Sequence, residues 1–293
     1  MTRMGDVLAG MHSSWEFDTD SVLIRFERGI RTPKLFHVLG ERRIPYEALS
    51  SVQLGPGTRR GTMALRAVPR PGADPLLDAA CGQLREATDP YRLVLPDERA
   101  SQADYYATEL QTLLGPQADH PAERHLVTAP QAPLQFKAYD GKVSFDGETV
   151  SFRWSWTGAP STKWKAGDQS FTAGELAEIE WRSPENGEGH LRLRRRGPDG
   201  LPEPSPVDDP GEDPASVVFG RGYGMVHESL PLAAAVLEAV HAAGPAVPGD
   251  GCGERFDPAD IAARIRHLGE LHTAGLLTDE EFTSKKSELL ALL

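Results

Sequence analysis

Val22, Ile24 and Phe26 are separated by single residues, and so are Val150, Phe152 and Trp154. A period of two marks a strand with one buried face. Both runs follow similar turn chemistry, "FDTDS" at 17–21 and "FDGET" at 145–149, where Asp and Gly favour a reversal. The full segments, "FDTDSVLIRF" and "FDGETVSFRW", lie 128 positions apart.

The correspondence continues downstream. "RRIPYEALSSVQL" (42–54) aligns with "DQSFTAGELAEIEW" (168–181) at an offset of 127, placing Ile44 on Phe171, Leu49 on Leu176, Val52 on Ile179 and Leu54 on Trp181. "GTMALRAV" (61–68) aligns with "GHLRLRRR" (189–196) at 128, placing Met63 on Leu191 and Leu65 on Leu193. "PYRLVLP" (90–96) aligns with "PASVVFG" (214–220) at 124. Each series ends in a helical stripe. Leu110, Leu113 and Leu114 form one, at about 99–114; Leu232, Val236, Leu237 and Val240 form the other, at about 226–240. The length differences fall in loops, as expected of a structural repeat.

Six or seven short strands followed by one helix predict a small β-barrel plugged by that helix, twice over: a mainly β chain with α, of pleckstrin-homology-like architecture. The expected domains span 12–115 and 136–242, with a Pro-rich linker at 116–135. Each copy carries an insertion before its last strand. The first, 69–90, has room for a short helix. The second, 198–214, has six acids, abundant Pro and no Lys or Arg. A mobile, solvated loop is expected there.

After a second linker at 243–256, two helices are predicted within 257–293. Asp257 caps the first, Pro258 opens it, and Ile261, Ile265, Leu268 and Leu271 line one face. Ala274-Gly275 ends it. Leu276 and Leu277 then precede a capping box, Thr278 to Glu281, and the second helix carries Phe282, Leu289, Leu290 and Leu293. So short a hairpin cannot bury enough surface to be stable alone. Its apolar residues call for another surface: the same hairpin on a second chain, a partner helix, or the repeats themselves.

Two resemblances follow from these residues. "DSVLIRFERG" and "VSFDGETVSFRW", with the strands and helix after each, resemble the bacterial family named domain of unknown function 4429. That resemblance implies a tandem pair of pleckstrin-homology-like domains and assigns no activity. "LGELHTAGLLTDEEFTSKKSELL" resembles the short C-terminal domain (SHOCT) family, which implies an oligomerisation or partner-docking element.

Composition narrows the classes. Apolar residues make up 39% and charged residues 25%, and net charge is −12. An acidic surface repels nucleic acid and anionic lipid at long range, so nucleic acid is an unlikely partner and membrane is not favoured. No apolar run approaches the ~18 residues of a membrane span. "MTRMGDVLAGMH" makes a poor secretory signal, and a cytoplasmic location is expected. Cys81 and Cys252 are expected to be free thiols.

No catalytic constellation emerges. "GPGTRRGT" (55–62) lacks the Gly-Lys-Ser/Thr ending of a phosphate loop and reads as a hairpin turn. "FGRGYG" (219–224) reads as a strand end meeting a helix. The nine histidines are scattered. We therefore expect no enzyme, no cofactor and no metal. One feature stands above this background. The connection after the first alternating strand is basic in both copies. Residues 25–43 hold six Arg/Lys against two Glu, among them Arg25, Lys34, Arg42 and Arg43. Residues 153–165 hold Arg153, Lys163 and Lys165 with no acid, beside Trp156 and Trp164. The main expectation is a non-enzymatic interaction protein that self-associates or docks partners through the terminal hairpin. The alternative is a sensor of a membrane or anionic ligand that uses these connections.

Overall fold

The structure, a computed structural model, describes residues 6–244 apart from Arg221. The predicted terminal hairpin and Cys252 lie outside the described residues.

The first repeat is built from strands β1 (Asp6–Ala9), β2 (Ser13–Phe17) and β3 (Ser21–Phe26), helix α1 (Lys34–Leu39), strands β4 (Glu41–Pro45), β5 (Leu49–Pro56) and β6 (Thr62–Pro69), helix α2 (Pro75–Ala80), strand β7 (Arg92–Pro96) and helix α3 (Ala100–Thr112). The second follows with β8 (Leu134–Lys137), β9 (Gly141–Phe145), β10 (Thr149–Trp154), α4 (Ser161–Ala166), β11 (Gln169–Thr172), β12 (Leu176–Arg182), β13 (Gly189–Arg195), β14 (Ser216–Phe219) and α5 (Val226–Ala243). The first two strands of each repeat precede the first run the alternation marks.

The strands do not close into barrels. Each repeat holds a four-stranded and a three-stranded antiparallel sheet, ordered β1-β2-β3-β4 and β5-β6-β7, then β8-β9-β10-β11 and β12-β13-β14. A backbone hydrogen bond links the two sheets of each repeat, from Met11 N–H to the Val94 carbonyl and from Tyr139 N–H to the Val218 carbonyl. Phe171 of β11, Leu193 of β13, Pro204 and Pro214 line a cleft of about 250 Å³. Alternation identifies a buried face, and an open pair of sheets satisfies that requirement as well as a barrel.

The ladders fix the true correspondence of the copies. Leu54 faces Leu65, whereas Trp181 faces Leu191; Val52 faces Ala67, whereas Ile179 faces Leu193. Leu191 therefore answers Leu65 and Leu193 answers Ala67, an offset of 126 in place of the 128 read from the sequence. A two-residue slip leaves every side chain on its original face, so the alternation pattern does not detect it. A register irregularity recurs at the same place, Leu49/Ser51 and Leu176/Glu178.

The two terminal helices differ. Helix α3 buries Ala103, Ala107 and Leu110 and exposes most of its other face. Helix α5 is apolar around most of its circumference and buries Leu230 through Val236 without a break. An all-round apolar helix needs cover on every side. Sheet strands cover one side; Leu35 of α1 and Leu76, Ala79 and Ala80 of α2 join the same core from the first repeat. Gln83 extends this junction like an added strand. Its amide donates to the Trp181 carbonyl and its oxygen accepts from Ser183 N–H, along the edge strand β12.

Two segments expected to be loose are held. In the linker, Ala122 donates to the Pro71 carbonyl, and Leu126 and Val127 both donate to that of Ala73. The acidic insertion is anchored by Arg192, which donates to the Val207 and Asp208 carbonyls and pairs with the buried Asp213. A third expectation also fails: Cys81 is not a free thiol.

Candidate functional site

The β8–β9 turn and the β10–α4–β11 connection lie at one end of the second repeat's four-stranded sheet. Ser155 N–H donates to the Asp140 carbonyl at 2.8 Å, which joins them. Gly158 passes so close to Tyr139 that a Cβ there would collide with its carbonyl oxygen.

Beneath them sits a buried charge cluster. Lys163 of α4 is fully buried and donates to Asp140 Oδ2 at 2.5 Å and to the Ser216 and Pro210 carbonyls at 2.9 and 3.1 Å. Its ammonium lies 5.1 Å from the centre of the Trp154 ring. The second Asp140 oxygen accepts from Val218 N–H at 3.1 Å. Burial raises the Asp140 carboxyl above its ordinary value while Lys163 opposes the rise. Burial lowers the Lys163 ammonium while Asp140 opposes the fall. A buried ion pair survives only when its remaining polar atoms are satisfied, and the three acceptors on Lys163 do this.

The first repeat needs no such cluster. At the place of Lys163 it carries Phe36, stacked on Phe26 with ring centroids 4.5 Å apart. The place of Asp140 is taken by His12.

Above the buried pair, the surface is aromatic. Trp156 is 84% exposed and meets Trp164 of α4 edge-on at 5.2 Å. Tyr139 meets Tyr223 edge-on at 6.3 Å, and both are exposed. Gly224, just beyond, has φ +55° and lies against Phe219, where a Cβ would come within 2.5 Å of it. It lets β14 turn into α5 beneath the two tyrosines.

Beside the aromatic residues runs a row of cations. Lys137 pairs in register with Lys142, and Lys142 with Arg153, across β8, β9 and β10. All three are exposed, as is Lys165 on α4. Arg153 Nε lies 3.6 Å from Asp168. Among the described residues, no carboxylate lies within ion-pair distance of Lys137, Lys142 or Lys165.

The predicted basic residues separate into two groups. Arg42 is buried, donating to Asp74 Oδ1 at 2.6 Å and to the Tyr91 hydroxyl at 3.0 Å, so it braces the first repeat. Burial alone would lower its guanidinium pKa, but Asp74 and Tyr91 outweigh burial and hold it charged. Lys163 is likewise a buried brace. Arg25 is paired with Glu16 and lies near Glu41, and Arg43 with Asp18. Lys34, Lys165, Trp156 and Trp164 remain at the surface. The structure thus brings Trp156, Trp164 and Lys165 together and removes Arg42 and Lys163 from any accessible face. The hairpin residues Ile261, Ile265, Leu268, Leu271, Leu276, Leu277, Phe282, Leu289 and Leu290 lie outside the described residues. The sequence reading missed Lys137, Lys142, Tyr139 and Tyr223. The register of β8 on β9 joins Lys137 to Lys142, and that of β9 on β10 joins Lys142 to Arg153. Among the described residues, no group of three His, Cys, Asp or Glu is placed to hold a metal, and no helix is long and apolar enough to cross a membrane.

Two copies of one seven-stranded unit, each followed by a helix, define a tandem-domain protein. The chain belongs to the family described as domain of unknown function 4429, whose model matches residues 15–111 and 143–237, and it carries a match to the short C-terminal domain at 263–290. No curated protein matches this chain.

Proposed function

We propose that the protein is a non-enzymatic interaction platform. Its two repeats form the rigid part, and its short C-terminal domain joins copies of the chain or docks a partner. The observation that carries this reading is the exposed aromatic group Trp156, Trp164, Tyr139 and Tyr223, mounted on a buried ion pair that the other repeat does without. Exposed aromatic clusters mark contact surfaces. The four-plus-three strand arrangement with a terminal helix supports the pleckstrin-homology-like reading of each repeat. A second reading, a sensor of anionic ligands or membranes, draws on the unpaired Lys137, Lys142 and Lys165.

Light scattering after size-exclusion chromatography tests the main reading. The full chain is expected to self-associate, and a chain ending at Gly251 to be monomeric. Monomers in both cases would remove self-association through the terminal domain.

A further inference from the structure

We propose that the aromatic and cationic end of the second repeat binds an acidic peptide segment carrying aromatic or large apolar anchors. This rests on the platform reading and names the partner's chemistry.

The cation row is the first support. Neighbouring strands stand about 4.8 Å apart, so Lys137, Lys142 and Arg153 place three like charges within roughly 10 Å. Like charges directly opposite one another destabilise a sheet. The internal duplicate shows that the fold does not require them. At the same row the first repeat has Ala9, Ser14 and Arg25, and Arg25 is paired with Glu16. Arg153 has Asp168 beside it; an anionic partner would relieve the charge of Lys137 and Lys142.

The second support is the aromatic pair. Trp156 and Trp164 lie in the connection that starts at Arg153 and returns at Asp168, and the Arg153–Asp168 pair closes it. The first repeat has Arg28 and His37 at the corresponding places. A peptide with carboxylates along its backbone and a ring or branched side chain between them fits both features. Its carboxylates meet the row and its anchor meets the indoles. Tryptophan faces also attract apolar side chains at little conformational cost.

Charge favours a peptide over a bilayer. The whole chain carries −12, so an extended anionic surface repels most of it. A short peptide samples only the field within a Debye length of ~8–10 Å, a range that takes in Lys137, Lys142, Arg153 and Asp168.

The test uses the full chain and a fluorescein-labelled peptide of repeated Glu-Glu-Phe units. Anisotropy reports binding and protein tryptophan fluorescence reports the site. Saturable binding is expected, weakened at least about tenfold by Lys137→Glu with Lys142→Glu, weakened by added salt, and lost when Glu-Glu-Phe is replaced by Gln-Gln-Phe. The exposed positions of both lysines should leave the unfolding midpoint unchanged; if it falls, Lys137→Gln with Lys142→Gln replaces the pair. Trp156→Ala should remove most of the fluorescence response. Absence of peptide binding, or binding unaffected by the lysine variants, overturns the proposal. So does exclusive binding to phosphatidylcholine vesicles containing phosphatidylglycerol. Light scattering on the same samples separates the two readings: failed peptide binding with intact self-association removes this inference alone.

Discussion

Arg192 and Asp213 repeat the pairing of Arg66 and Asp89. Nε lies 3.0 Å from Oδ2 in the second repeat and 2.7 Å in the first. In both, the arginine is on the central strand of the three-stranded sheet. The same aspartate also accepts a backbone N–H two residues on, from Tyr91 at 2.9 Å and from Ala215 at 2.8 Å. The pair therefore ties the end of each insertion to the sheet beneath it. Exposure differs: the arginine side chain is 45% exposed in the first repeat and 8% in the second.

That difference sets the cost of removal. Arg192→Ala leaves Asp213 buried without its cation and should destabilise the protein by about 3–5 kcal/mol. Arg66→Ala also leaves a buried carboxylate, Asp89, but one whose arginine is half-exposed and replaceable by water, and should cost less, about 1–3 kcal/mol. Urea unfolding followed by tryptophan fluorescence compares the two; equal effects would contradict the assignment.

The Lys163–Asp140 pair should behave as a coupled unit. Asp140→Ala strands a buried ammonium and is expected to cost about 3–5 kcal/mol. Lys163→Met with Asp140→Leu removes both charges and should recover much of that loss. A double-mutant cycle by urea unfolding checks the coupling. Additive single effects would show that the charges do not act together.

Alkaline pH should weaken the first repeat. Burial pushes the Tyr46 phenol up to about 12, and its hydroxyl donates to the Asp18 carbonyl at 2.7 Å. An unfolded tyrosine titrates near ~10. The folded state therefore holds its proton more tightly, so this contribution is complete below pH ~10 and is lost as pH rises toward about 12. Burial also raises Tyr91, in the same direction. Melting temperatures from pH 9 to 12 should fall less steeply in Tyr46→Phe than in the parent.

Packing between the repeats should depend on α2. Ala79 is buried in the same core as α5, and Ala79→Arg would force a charge into it. The expected result is rapid proteolysis between residues 115 and 133, where the parent chain resists. Unchanged resistance would mean that α2 does not hold the repeats together.

The sequence carried the faces of the strands and less of their pairing. Val22, Ile24 and Phe26, and their counterparts Val150, Phe152 and Trp154, are buried as alternation requires. The offset between β6 and β13 escapes the alternation because Arg192 and Arg194 both stand in "RLRRR", so a two-residue slip still sets an arginine in the place of Arg66 and keeps every face. Barrel closure depends on how two sheets meet, which periodicity does not encode. The acidic insertion looked solvated because its partners, Arg192 and Lys163, are distant in sequence. Lys163 itself looked like a surface cation in a basic connection; its burial follows from where α4 lies, over Trp154 and Asp140. The spacing in α5 predicts a stripe on one face, yet Leu230 through Val236 are all buried. What covers it, α1 and α2 of the other repeat, was not visible in that run.

Hydrogen exchange on the full chain, compared between dilute and concentrated samples, tests the interaction reading most directly. Fragments covering residues 263–290 should gain protection with concentration while the sheet strands of both repeats stay unchanged. Exchange independent of concentration throughout, or changes confined to the repeats, would contradict a terminal domain that joins copies of this chain.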